Sequence, residues 1–319
     1  MLGKLRSLFR RRACTIERIG RASIAYHPEH TIYLREYYLY CVDLWRTALA
    51  RIDAPLNVVF GDYRVDFGNA CRSVHVDLQY EHMLVKPGGR DSEGAPLGRI
   101  PLGDGSGCYL VRLANRGYIE SLDTIVEYSL PNLINARTSP GFDAYLRKAT
   151  YIAPLLYDVD FGHRARDIDL VTLIHDVNQP RRRQFFERAR AARLPLRNVR
   201  GTFGKLALRT LYDRTRVLVN LHQTDHHDTL EELRILPALL RGVIVVSEDV
   251  PLREEVPYHR AVVWSRYADL VDTTRDVLAN YEQYRSQLFG NPSLSVILEN
   301  MRRDNLIHAE QAVRALLND

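Results

Sequence analysis

From about residue 170 onward the chain alternates short β-rich runs with helix-length segments, and this alternation restricts the possible architectures more than any other feature. Residues 171–175 (VTLIH) read as a buried strand, followed by Pro180 and a helical stretch, RRRQFFERARAAR. A weaker strand surrounds Val199, and a helix is expected over 205–212. Residues 217–221 (VLVNL) form the next strand, and a helix over 229–240 ends at Gly242. The runs 243–247 (VIVVS) and 261–264 (AVVW) complete the set. Continuous apolar runs separated by helices describe βαβ units and a parallel sheet covered on both faces. The second half is therefore expected to be a Rossmann-like domain.

The first half carries a weaker version of the same signal. Residues 31–52 place aromatic and aliphatic side chains on one side and Arg35, Glu36, Asp43 and Arg46 elsewhere, which predicts a helix. Within it Tyr33, Tyr37, Tyr38 and Tyr40 fit core packing better than a stacking platform. Strands are expected at 56–60 (LNVVF), 74–78, 109–113, 124–128 and 151–156. Residues 86–107, KPGGRDSEGAPLGRIPLGDGSG, show no apolar period and read as a long mobile loop. The polar segment 158–166 separates the two strand patterns, so the division expected is 1–160 and 161–319. A chain of 319 residues is long for one core and comfortable for two α/β domains.

Composition narrows the classes further. No run of eighteen apolar residues occurs, and the basic start, MLGKLRSLFRRRAC, lacks the apolar core of a signal peptide. Cys14, Cys41, Cys71 and Cys108 lie far apart and form no CxxC pair, which suits a reducing cytoplasm. The net charge of +5 is concentrated in Arg10–Arg12 and Arg181–Arg183 and favours phosphate-bearing ligands or an acidic membrane surface. A basic nucleic-acid-binding protein is one alternative, but no helix-turn-helix, zinc-finger or aromatic RNA-binding signature is present, so no nucleic-acid partner is expected. Leu2, Leu5, Leu8 and Phe9 recur at helical spacing among Lys4, Arg6 and Arg10–Arg12, a pattern suited to lying in a headgroup layer; a disordered basic tail is the competing reading.

Candidate chemistry sits where parallel strands end, because ligands bind beyond their carboxyl ends against helix N-termini. Arg181, Arg182 and Arg183 enter a helix there, and arginine forks match a diphosphate in charge and geometry; a solvated basic first turn is the plain alternative. Glu231 and Arg234 share a helix face at the same edge, suited to a sugar hydroxyl and a phosphate, although Asp228 and Glu231 also satisfy capping-box spacing. His222, Asp225, His226, His227 and Asp228 form a ligand-type run that a polar loop explains as well as a metal would. Glu81 or His82 is a candidate base for an acceptor, against a structural histidine. Ser129 and Asn132 also follow a strand, but turn formation with Pro131 is the preferred reading.

The run RVLVNLHQ followed by TLEELRILPALLRGVIVVSE resembles the C-terminal domain of GT-B glycosyltransferases, especially bacterial surface-polysaccharide enzymes. The positions that carry the likeness are Asn220, His222, Glu231, Arg234, Gly242, Ser247 and Glu248. NQPRRRQFFERA is similar to the first helix of that domain, and HVDLQYEHMLVKPGGR, with Tyr80, Glu81 and His82, to the N-terminal domain. The resemblance implies a GT-B fold of two Rossmann-like domains whose parallel sheets face an interdomain cleft. It implies transfer of a sugar from a nucleotide-sugar donor to a glycan or lipid-linked acceptor in cell-surface polysaccharide synthesis. Arg181, Arg182, Arg183, His222, Glu231, Arg234, Ser247 and Glu248 would bind donor, with Glu81, His82 and Glu231 catalytic. No cofactor and no bound metal are expected, and the enzyme would be cytoplasmic, peripheral on the inner face of the plasma membrane. Relatives carry a second glutamate for the donor ribose; counted from Gly242, that position is Pro237, so Glu248 or backbone groups would have to serve. A nucleotide-sugar 2-epimerase has a similar paired architecture and needs no acceptor.

Overall fold

The computed structural model describes residues 14–28, 34–79, 84–87, 99–101, 108–113, 116–139, 141–175, 177–201, 204–222 and 229–318. The first half runs β1 (Thr15–Ile19), β2 (Ala22–Tyr26), α1 (Arg35–Ile52), β3 (Leu56–Phe60), β4 (Arg72–Gln79), β5 (Leu84–Pro87), β6 (Arg99–Pro101) and β7 (Cys108–Arg112). It continues with α2 (Arg116–Ser121), β8 (Thr124–Glu127), α3 (Leu130–Arg137), α4 (Asp143–Lys148) and β9 (Ala149–Tyr151). Its main sheet has the order β1-β2-β3-β4-β8-β9, parallel throughout except for the β1–β2 hairpin.

That hairpin is absent from the expected strands. TIERI and ASIAY are five-residue runs joined through Gly20 and Arg21, and Gly20 adopts φ 56° at the turn. A side chain at Gly20 would meet Asp53 Oδ1 at 3.0 Å, the carboxylate that also pairs with Arg21. The stretch read as one long loop also contains structure: β5 and β6 flank β7 in a small antiparallel sheet. Helix α1 begins at Arg35 and packs Tyr37, Tyr38 and Trp45 into the core, as its period demands. The Tyr37 hydroxyl donates to the Ile152 carbonyl at 2.6 Å and that of Tyr38 to Phe60 at 3.0 Å. Tyr33 lies outside the described residues.

The second half comprises β10 (Ile168–Thr172), α5 (Pro180–Ala191), β11 (Leu196–Asn198), α6 (Lys205–Arg214), β12 (Thr215–Asn220), α7 (Glu232–Leu240), β13 (Ile244–Glu248) and β14 (Val262–Ser265). Helices α8 (Leu270–Ala279), α9 (Tyr281–Phe289) and α10 (Ser293–Asn318) follow. The sheet is wholly parallel with order β11-β10-β12-β13-β14. β10 starts three residues earlier than expected: Asp169 interrupts the apolar run, but its side chain is nearly half exposed, where it pairs with Arg216 at 3.2 Å. Conversely, the chain leaves the first sheet beyond Ile152, whose N–H still donates to the Glu127 carbonyl at 3.0 Å. The Asn305 side chain takes both the N–H and the carbonyl of Ala153, at 2.8 Å each, so that backbone has no groups left for a ladder.

Asn305 belongs to α10, which packs against α1 and β9 of the first half. Its amide also donates to the Tyr40 hydroxyl at 2.9 Å, and Glu310 pairs with Arg51 at 3.0 Å. One apolar core runs unbroken from Ala22 in the first sheet to Leu316 in α10. The two sheets present their carboxyl edges to each other: the N–H of Leu130, just beyond β8, donates to the carboxylate of Glu232, beyond β12, at 2.9 Å. Two α/β halves with parallel sheets meeting at those edges follow the GT-B plan expected.

Candidate functional site

In the second sheet the chain order turns between β10 and β12, the point where open α/β sheets bind ligands beyond their strands. Buried apolar residues carry β12 and β13 to this edge, and each strand then ends on polar side chains, Asn220 in one and Ser247 with Glu248 in the other. Two helix starts face the same place. Pro180, with its fixed φ and missing N–H, opens α5, and α7 begins after Glu231. Gly242, at φ 66°, lets α7 close and turn directly into β13. A Cβ there would stand 3.3 Å from the Arg166 side chain and 3.4 Å from the Phe161 backbone, so the main cost of a larger residue is the positive φ.

Asn220 is the centre of the arrangement. Its amide donates to Glu231 Oε2 and to Ser247 Oγ, at 3.1 Å each, and its oxygen accepts from Arg234 at 2.8 Å. Glu231 Oε2 also lies 3.4 Å from His222 Nδ1. Burial works to lower the His222 pKa, but the carboxylates of Glu231 and Glu248 outweigh it and hold the imidazole above its ordinary value. The His222 N–H donates to Glu248 Oε2 at 3.0 Å. Arg181 forks onto Glu248, with one arm at 2.6 Å, and its guanidinium lies over the Tyr267 ring at 3.8 Å.

Six of the eight expected donor residues therefore share one constellation: Arg181, His222, Glu231, Arg234, Ser247 and Glu248. The arginine triplet divides. Arg182 is buried, Arg183 is exposed, and Arg181 reaches the site but spends its charge on Glu248. Glu231 occupies the N-cap position of α7 without a side-chain capping bond, because its carboxylate is turned to Asn220 and His222 instead. Arg234 is half-buried, donates to the neutral Asn220 amide, and forms no ion pair among the described residues. Tyr80, Glu81, His82, Asp225, His226, His227 and Asp228 lie outside the described residues. Among the described residues no group of three or more metal-type ligands converges.

The facing edge of the first sheet adds residues that the motifs did not single out. Glu232 is fully buried and accepts from the Leu130 N–H at 2.9 Å and from the Tyr151 hydroxyl at 2.5 Å. Glu127, equally buried, accepts from the Ser129 N–H and Asn132 Nδ2 at 3.0 Å each and from the Tyr145 hydroxyl at 2.7 Å. Burial raises both carboxyls, Glu127 to about 7 and Glu232 to about 8, against the hydrogen bonds that favour their ionised forms. Ser129 and Pro131 thus start a helix where a turn was expected, and Asn132 serves the carboxylate below. The Tyr128 phenol is buried in the field of Glu127, Glu231, Arg234 and Glu232, which places a first-half side chain beside the second-half constellation. The adjacent acids of the Glu231–Glu232 pair were the available signal for Glu232; nothing local marks Glu127 or Tyr267.

No family model matches the chain. A stretch of 78 residues is 32% identical to an uncharacterized protein of Acanthamoeba polyphaga mimivirus, covering 23% of this chain and 28% of that protein. Among solved structures the chain is similar to an S. aureus TarM mutant in complex with fondaparinux, alpha-GlcNAc-glycerol and UDP, at 10% identity and TM-score 0.47 over 85% of this chain and 58% of that one. It is also similar to a UDP-forming alpha,alpha-trehalose-phosphate synthase from Burkholderia vietnamiensis, at 11% identity and TM-score 0.44 over 96% and 88% of the two chains. An alpha1,3-fucosyltransferase with GDP-fucose is similar at 11% identity and TM-score 0.34, over 78% and 77%.

Proposed function

We propose that this chain is a glycosyltransferase that takes its sugar from a nucleotide-activated donor held at the carboxyl edge of the second sheet. The observation that carries the reading is the Asn220-centred network, which holds a carboxylate and a guanidinium on one amide at the topological turn of a parallel sheet. Glu231 accepts hydrogen bonds from donor-sugar hydroxyls. Arg234 stabilises the negative charge that develops on the diphosphate as the sugar–phosphate bond breaks, and His222, favoured in its protonated form by two carboxylates, assists. Glu248 takes the ribose hydroxyls in place of the glutamate that Pro237 replaces, with Arg181 setting the carboxylate's orientation. The first half, residues 1–160, presents the acceptor, and 161–319 holds the donor. The buried contact between the two edges excludes water that would hydrolyse the donor. The acceptor is a glycan or a lipid-linked glycan met at the cytoplasmic face of the membrane, in surface-polysaccharide synthesis.

Arg234→Ala is expected to weaken nucleotide-sugar binding by about 1.5–3 kcal/mol, the scale of a charge-assisted hydrogen bond. Titration calorimetry on the folded variant measures it, and unchanged affinity removes Arg234 from the donor site. Glu231→Gln separates roles: turnover should collapse while the chain stays folded, because the amide oxygen still accepts from Asn220 and only the charge beside His222 is lost.

A further inference from the structure

We propose that a strip of arginines along the free margin of the second sheet is the surface by which the chain lies on an anionic lipid bilayer. Residues 181–200 contain eight arginines and one acid, Glu187. Arg181 and Arg182 turn inward, and Arg188 reaches the backbone carbonyls of Tyr267 and Ala268. The other five, Arg183, Arg190, Arg193, Arg197 and Arg200, are exposed, and none closes an ion pair among the described residues. Elsewhere in this half the exposed Arg260, Arg303 and Arg314 also close no ion pair among the described residues, but other arginines do. Arg164, Arg214, Arg216, Arg241 and Arg253 each sit on a carboxylate.

The five arginines lie on the consecutive helix, turn and margin strand of one unit of the second sheet. Arg183 and Arg190 are two turns apart on α5 and share a face. Arg193 stands in the turn that follows, at φ 55°. Arg197 lies in β11, which among the described residues pairs with β10 alone and forms the sheet margin, and Arg200 follows at its carboxyl end. A charge on an edge strand also deters strand pairing, which accounts for Arg197 but not for the arginines on the helix and turn.

Spread guanidinium forks suit an array of headgroup phosphates. The segment's only aromatics, Phe185 and Phe186, are buried and half-buried, leaving no platform on which nucleic-acid bases would stack. Within residues 181–200 no large apolar side chain is exposed, so this strip acts through its charge. Because Arg183 and Arg200 lie toward the ligand edge, adsorption brings the donor site close to the lipid surface. The inference rests on the membrane-facing part of the proposed function, but its test reads lipid binding alone and is independent of glycosyl transfer.

The full chain is sedimented with vesicles of phosphatidylcholine alone or mixed with phosphatidylserine, at low and high salt. Selective recovery with the anionic vesicles, lost at high salt, is expected. The triple variant Arg190→Gln, Arg197→Gln, Arg200→Gln should partition on the order of 100-fold more weakly, about fivefold per basic residue. A second variant, Arg183→Gln with Arg193→Asn, should fall on the order of 25-fold by the same arithmetic, and asparagine tolerates the positive φ. Circular dichroism checks that each is folded. Unchanged partitioning of both variants overturns the proposal, as does tighter binding of the wild-type chain to an oligonucleotide than to the anionic vesicles.

Discussion

Glu232→Ala is expected to destabilise the chain by about 2–5 kcal/mol in chemical denaturation, because it strands at least two donors at a buried site, each costing roughly 1–3 kcal/mol. The carboxyl group is fully buried between the halves, where it accepts from the Leu130 N–H and the Tyr151 hydroxyl. Glu232→Gln keeps an acceptor oxygen and should recover most of the loss. A denaturation midpoint unmoved by the alanine variant would mean that the two carboxyl edges do not meet through this residue.

Stability should also fall as pH rises from about 5 to 9. Glu127 and Glu232 hold their protons to about 7 and about 8 in the folded chain, against 4.5 as ordinary glutamates. Between those limits the native state binds more protons than the unfolded state, so raising the pH favours unfolding. The contribution is fully present below 4.5 and is lost as each group ionises. His222 acts in the same sense, since its raised pKa means a proton bound more tightly when folded. At about 1.4 kcal/mol for each tenfold gain in proton affinity, the two carboxyls set an upper bound of roughly 8 kcal/mol across this range. Denaturation midpoints measured through the interval should decline, and the decline should be shallower in Glu232→Gln. A flat or rising profile contradicts the buried pair.

Much of the second sheet was legible because strands buried on both faces leave uninterrupted apolar runs, as in VIVVS and VLVNL. Positions slipped where a tertiary partner overrode local pattern. Asp169 faces partly to solvent in β10 beside Arg216, and Asn305, in a helix 152 residues away, takes the hydrogen bonds that would have extended β9. The site was legible where its residues sit on one strand–helix–strand unit, from Asn220 to Glu248. The inward fate of Arg181 was not, since Glu248 stands 67 residues further on. Glu127 and Glu232 escaped notice because a buried carboxylate is made by what surrounds it, and those surroundings come from both halves of the chain.

The central claim is that the Asn220-centred edge binds a nucleotide-activated sugar. The direct measurement is thermal stabilisation of the chain and of Arg234→Ala by a panel of nucleotide sugars differing in base and sugar, with the free nucleoside diphosphates alongside. One donor should raise the wild-type melting point, equivalent to about 2.7 kcal/mol at a hundredfold excess over Kd, and should raise that of Arg234→Ala much less. If no nucleotide sugar stabilises the wild-type chain, or if one stabilises both proteins equally, the edge is not a donor site.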